Sequence, residues 1–138
     1  MDFLFFLNVV SAFLLTGIIW TIQIVHYPSF YYIDKQLFVN FHQFHEYRIS
    51  IIVMPLMFIE LISCIALYIN DMSNITFALN LIIVGLIWCS TFFIQVPIHN
   101  ILSQKKDNKM IKKLVNTNWI RTFLWSIRML LIIDEIIA

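Results

Sequence analysis

Apolar residues in this chain fall into four long runs, and the breaks between the runs hold most of the charge. The first run extends from about Phe3 to Val25 and meets His26-Tyr27-Pro28, where the proline predicts a helix end. The second extends from about Ser50 to Ile69, the third from about Ile75 to Val96 with Pro97 close behind, and the fourth from about Asn118 to Ile133. Runs of this length and apolarity predict membrane-spanning helices. Asn70-Asp71-Met72-Ser73-Asn74 is a short polar turn between the second and third. Residues 29–49 mix aromatic and polar positions and read as a short interfacial helix leading into the second span. Residues 100–117 form a basic link, in which Met110-Ile111 and Leu114-Val115 are spaced for one apolar face of a partial helix.

The expected fold is therefore all-α. It is one integral membrane domain over residues 1–138, a four-helix transmembrane bundle running up-down-up-down, with a short interfacial helix between spans one and two. Composition agrees: 61% of the 138 residues are hydrophobic, more than a soluble domain of this size needs. The first run starts Met1-Asp2-Phe3 without a basic segment and lacks a small-x-small cleavage site, so it reads as a retained helix. Cys64 and Cys89 form no CxxC and lie within apolar runs; they read as buried thiols packing as small hydrophobes, which argues against thiol redox chemistry.

The net charge of +1 says nothing about partners, but the placement of charge is informative. Lys35 and Arg48 occupy the first link, and Lys105, Lys106, Lys109, Lys112 and Lys113 the third, with Arg121 just inside the next span. The second link and both termini have no lysine or arginine, whereas Asp2, Asp71, Asp134 and Glu135 mark that side. The positive-inside rule then puts the two long links in the cytoplasm and both termini outside it. The expected partners are membrane lipids and a small hydrophobic ligand rather than nucleic acid.

With that orientation the four histidines share one level. His26 closes the first span, His42 and His45 precede the second, and His99 closes the third, with Gln23, Glu46, Arg48, Gln95, Asn118 and Arg121 beside them. Helical spacing gives each span one polar and aromatic stripe. These are Thr16, Trp20 and Gln23; His42, Glu46, Val53 and Glu60; Trp88, Thr91, Gln95 and His99; and Asn118, Arg121, Trp125 and Arg128. The second stripe requires a helix that begins early and runs unbroken past Pro55. Packing the stripes inward makes a polar pocket open to the cytoplasm. Two charges lie deeper: Arg128 and Glu60 each come out roughly 15 Å into the hydrocarbon at helical rise. Groups at that depth are candidates for function, and their matched depth points to a pair.

Candidate catalytic residues are His26, His42, His45, His99, Glu60 and Arg128, with the histidines shuttling protons or holding a cofactor. Candidate ligand-binding residues are Trp20, Gln23, Arg48, Trp88, Gln95, Asn118, Arg121 and Trp125, the arginines suiting an anionic group. Each has a plainer reading: helix-end histidines bonded to backbone, tryptophans of an interfacial belt, a structural ion pair. His42, His45 and Glu46 are spaced to ligate one metal ion, and two of the four histidines could instead hold a haem, with Arg48 and Arg121 facing its propionates.

The segments Trp20-Thr-Ile-Gln23-Ile-Val-His26-Tyr27-Pro28, Phe41-His42-Gln-Phe-His45-Glu46-Tyr-Arg48-Ile-Ser50, Gln95-Val-Pro97-Ile-His99-Asn100 and Thr117-Asn118-Trp119-Ile-Arg121-Thr122 resemble a group of small four-span bacterial membrane proteins. The resemblance covers nearly the whole chain and implies a bacterial inner-membrane location but no activity. A tryptophan and a proline late in helix one, then Arg48 and Met54-Pro55, are also similar to membrane protoporphyrinogen oxidases of the HemJ type. Those carry an early histidine in the first span, and Phe3 to Thr16 has none here.

Two functional classes remain open. One is a membrane enzyme or binding protein with a cytoplasm-facing pocket, ringed by His and Arg and floored by Glu60 and Arg128. The other is a non-catalytic helper or assembly subunit whose polar residues fix helix packing. A channel is disfavoured, because the outer half of the spans offers no polar path.

Overall fold

The computed structural model describes residues 2–138, which are helical almost throughout, with no strand among the described residues. Four long helices are present: α1 (Phe3–Tyr32), α2 (Lys35–Asn70), α3 (Ile75–Leu102) and α4 (Asn108–Ile137). The first three are long and apolar enough to cross a membrane, which identifies an integral membrane protein. α4 has 30 residues, but its lysines, arginines and acids leave it without an apolar stretch of that kind.

Each connection ends in an Asx residue that caps the next helix. Asp34 accepts from the Gln36 amide, Asn74 from those of Thr76 and Phe77, and Asp107 from those of Lys109 and Met110. The Asp107 cap starts α4 ten residues before the expected span, so the basic link is mostly helix and its loop shrinks to residues 103–107. In the turn after α2, the Ser73 hydroxyl and amide donate to Asp71 and hold its carboxyl below the usual range.

Two expectations are corrected. The interfacial helix is no separate element: with a cap at Asp34 and no breaker before Pro55, residues 35–49 are the first turns of α2 itself. Pro55 sits inside that helix, exposed, without ending it. Nor does Pro28 end α1, or Pro97 end α3. Each proline follows a widened π turn, Ile22–His26 in α1 and Thr91–Gln95 in α3. There Tyr27 N–H bonds back to Ile22 and Val96 N–H to Thr91. The wider turn accommodates the carbonyl that a proline ring would strike, so both helices continue past it. α1 then tightens into a 3-10 turn at Phe30–Tyr32, where Lys106 Nζ donates to the carbonyls of Tyr31 and Ile33 at 2.8 and 2.6 Å. One lysine of the basic link is thus a helix-end cap rather than a solvated charge.

α1 packs against α2 and α4, and α3 packs against the same two. One apolar cluster, including Tyr27, Phe30, Phe38, Ile98, Leu102 and Leu114, holds the end bearing the loop 103–107 together. A second, of Leu15, Ile19, Met57, Ile87 and Trp125, fills the middle. The outward surface is apolar, with Leu14, Ile51, Ile62, Ile82, Phe93 and Leu130 among its exposed side chains, as suits a lipid environment. Cys64 is buried; Cys89 is exposed on this outer surface, contrary to the reading of both as buried.

Candidate functional site

The polar residues gather in two layers. In the first, the π turns carry Tyr27 and His99 to the inside, where they meet between α1 and α3: Tyr27 Oη lies 3.0 Å from His99 Nε2. His99 Nδ1 lies 3.0 Å from His42 Nε2, and His42 Nδ1 lies 3.1 Å from Ser103 Oγ. Ser103 donates to Glu46 Oε2 at 2.8 Å. His42 is fully buried, while the Glu46 side chain is 38% exposed. Behind Tyr27 stands Arg121, donating to Tyr27 Oη at 3.2 Å and to Asn118 Oδ1 at 2.9 Å (Nε) and 2.6 Å (Nη2). Asn118 donates in turn to Gln23 Oε1 at 2.8 Å, and Gln23 donates to the Val115 carbonyl. One continuous set of hydrogen bonds therefore ties all four helices together.

Beside this layer is a cavity of about 130 Å³. Its lining combines apolar side chains, Leu15, Ile19, Val53, Met54 and Met57 among them, with the polar Tyr27, His45, Glu46, Gln95, His99 and Arg121. Gln95 is oriented by Thr117. That hydroxyl gives its hydrogen to the Lys113 carbonyl at 2.7 Å, so it can only accept from Gln95 Nε2, at 3.1 Å. The Gln95 carbonyl oxygen is left buried without a donor, as is His45 Nε2 without a partner.

The second layer closes the far side of Trp125. Its indole lines the cavity, and its N–H donates to both oxygens of Glu60, at 3.0 and 3.2 Å. Glu60 pairs with Arg128, Nη1 to Oε1 3.0 Å, and both side chains are fully buried. Arg128 Nη2 donates to Asn8 Oδ1 and to Cys64 Sγ, at 3.0 and 3.1 Å. Trp125 and Met57 thus line the cavity, whereas Glu60 and Arg128, expected as its floor, do not.

Level along the bundle axis does not fix direction around a helix, and several expected members lie elsewhere. Arg48 is exposed and sits over the Phe44 ring, outside the cavity. Trp20 is 39% exposed and packs edge-on against Trp119 while donating to Ser126. Trp88 packs between Phe58 and Phe92, away from the cavity lining. His26 and His45 pack on each other, tilted, with ring centroids 4.9 Å apart, beside the chain through His42 and His99 rather than in it.

For a metal, both ring nitrogens of His42 are already committed to His99 and Ser103. Among the described residues no three of His, Cys, Asp and Glu converge to hold an ion. For a haem, the cavity is below the roughly 300–1,000 Å³ that takes even a drug-sized ligand. The residues present therefore fit neither group.

Sequence reasoning passed over Tyr27, Ser103 and Asn8. Tyr27 was read as part of a helix stop and Ser103 as link, and Asn8 lay unremarked inside the first apolar run. A buried asparagine in a span is itself a signal, since an unsatisfied amide in hydrocarbon is costly. No family model, curated protein or solved structure matches the chain. The site is therefore read from its own geometry.

Proposed function

We propose that this chain is one of the small four-span bacterial inner-membrane proteins its sequence resembles, with both termini outside the cytoplasm and the helices running up-down-up-down. In this reading it binds, and acts on, a small hydrophobic or amphipathic molecule entering from the cytoplasmic side. The observation that carries the reading is the mixed lining of the cavity, mostly apolar side chains with Tyr27, Arg121 and Gln95 among them, the Gln95 carbonyl having no donor. A binding pocket has this composition, mostly apolar with a few polar groups that fix orientation. Lys and Arg asymmetry supports the orientation. The test is thermal stability of the purified protein against a panel of small aromatic alcohols, carboxylates and hydrocarbons. At least one amphipathic member should raise the Tm of the wild type but not of Val53→Trp, which fills the cavity. A panel without effect would remove the reading.

A second reading is supported by the enclosed Glu60–Arg128 layer. Glu60, Arg128 and Asn8 are absent from the cavity lining, and they join α1, α2 and α4. The layer suits a helper or assembly subunit whose polar groups fix helix packing, and a ligand-free, stable protein that co-purifies with a fixed partner would favour it.

A further inference from the structure

The hydrogen bonds that run from Tyr27 to Glu46, two residues of the cavity lining, have only one consistent direction. A carboxylate accepts only, so Ser103 gives its single hydrogen to Glu46. His42 Nδ1 must then be the donor to Ser103, which leaves neutral His42 with an acceptor at Nε2. His99 must donate to it from Nδ1, so His99 Nε2 accepts from the Tyr27 hydroxyl. Arg121 has donors only and contacts Tyr27 through the phenolic oxygen. The Glu46 end thus dictates the tautomers, the Arg121 contact on the Tyr27 oxygen is compatible with them, and every donor from Tyr27 onward points toward Glu46. The other charged or titratable groups facing the chain are Arg121 of α4, His26 of α1, His45 of α2 and Lys106, which lies over the Phe38 ring.

We infer that Tyr27, His99, His42, Ser103 and Glu46 form a proton relay from Tyr27 to Glu46, a cavity-lining carboxylate that is also partly exposed at the surface, and that the cavity's ligand is an aromatic ring bearing an ionisable hydroxyl. This rests on the reading of the cavity as a ligand site. Volume supports a single ring: about 130 Å³ is close to the roughly 150 Å³ that holds a benzene. The thioethers of Met54 and Met57 and the indole of Trp125 on its walls are good neighbours for an aromatic face.

The transfer balances without any redox partner. The ligand O–H breaks and its proton joins the Tyr27 oxygen as the Tyr27 proton moves to His99 Nε2. The Nδ1 proton of His99 moves to His42 Nε2, that of His42 Nδ1 moves to Ser103, and the Ser103 proton joins Glu46. One ligand O–H is lost and one Glu46 O–H is gained. The negative charge moves from Glu46 to the ligand oxygen, beside Arg121. Glu46 is exposed enough to release the proton to water.

The probe is 4-nitrophenol, whose phenolate is coloured and whose neutral form is not. Bound to the full chain in lipid nanodiscs, it is followed through a pH jump. Ser103→Val, outside the cavity lining, should slow ionisation of bound probe at least about tenfold, a barrier increase of about 1.4 kcal/mol. Ser103→Thr should restore the rate, and His42→Phe should slow it as Ser103→Val does. Binding with unchanged ionisation rates in Ser103→Val and His42→Phe overturns the relay and leaves the cavity reading intact. Bound probe that never ionises does the same. Retention of no 4-nitrophenol by the wild type in equilibrium dialysis overturns the relay and this ligand class, while the broader cavity reading still stands or falls on the Tm panel.

Discussion

Arg128 of α4 and Glu60 of α2 meet between two helices that are not principal packing neighbours, Nη1 3.0 Å from Oε1, with neither side chain exposed. Each is the other's charged partner, and the remaining contacts are neutral: Trp125 on Glu60, Asn8 and Cys64 on Arg128. The satisfaction is incomplete, because Arg128 Nε and Nη1 lack an aligned hydrogen-bond acceptor; Nη1 is held by charge rather than by hydrogen-bond geometry.

Removing one partner strands the other, at about 3–5 kcal/mol for buried pairs in soluble proteins. The two losses should be unequal. A stranded Glu60 can take up a proton, whereas a stranded Arg128 stays charged. Glu60→Gln should therefore lower the unfolding midpoint in mixed micelles more than Arg128→Gln, and the double variant should be milder than the sum. Additive losses in the double-mutant cycle would show that the two groups are not coupled.

This pair was legible in the sequence because depth in a helix can be counted at a fixed rise, and two charges at one depth have few alternatives. The histidine level was legible for the same reason, but which histidines touch was not. Position 48 lies about 120° around α2 from position 42 at 3.6 residues per turn, so Arg48 shares the level of His42 yet faces out. The Tyr27–His99 contact was illegible for a different reason. Each follows a π turn, whose extra residue rotates everything after it, and no propensity scale marks such a turn ahead of a proline. The continuous α2 could be seen only as a condition on the stripe from His42 to Glu60, which its unbroken course now meets.

Asn8 is the neutral hinge of the deep layer. Its amide donates to Ser63 Oγ and Cys64 Sγ at 2.9 and 3.1 Å while its carbonyl accepts from Arg128. Asn8→Leu should cost about 1–3 kcal/mol, the range for leaving a buried polar group unpaired. Asn8→Gln, too long for the site, should recover little. Unchanged thermal stability of Asn8→Leu would mean that the Arg128 donor finds another acceptor.

Orientation is open to a direct measurement. Seven of the nine lysines and arginines lie in the first and third links, so reporters fused to each terminus should read as outside the cytoplasm, and one placed in loop 103–107 as inside. A cytoplasmic signal from either terminus in intact cells would reverse or break the proposed four-span topology. It would also test α4, whose charge density leaves it the least apolar of the four helices.

The two histidine pairs should differ in what they support. His42 and His99 are bonded through both ring nitrogens, to each other, to Ser103 and to Tyr27. His26 and His45 only pack on each other, and His45 Nε2 has no partner. Tyr27→Phe keeps the aromatic packing on Phe30 but strips His99 Nε2 of its donor and Arg121 of one acceptor. It should lower stability by about 1–3 kcal/mol, as a buried unsatisfied group does. His45→Phe removes no hydrogen bond and preserves the edge-on contact with Phe30, so its stability should stay within about 1.5 kcal/mol of wild type, as for other shape-conserving swaps. Thermal unfolding of the two variants side by side is the check. Equal losses, or a greater loss in His45→Phe, would place the structural weight on the His26–His45 pair and remove the Tyr27–His99 bond from the centre of the site.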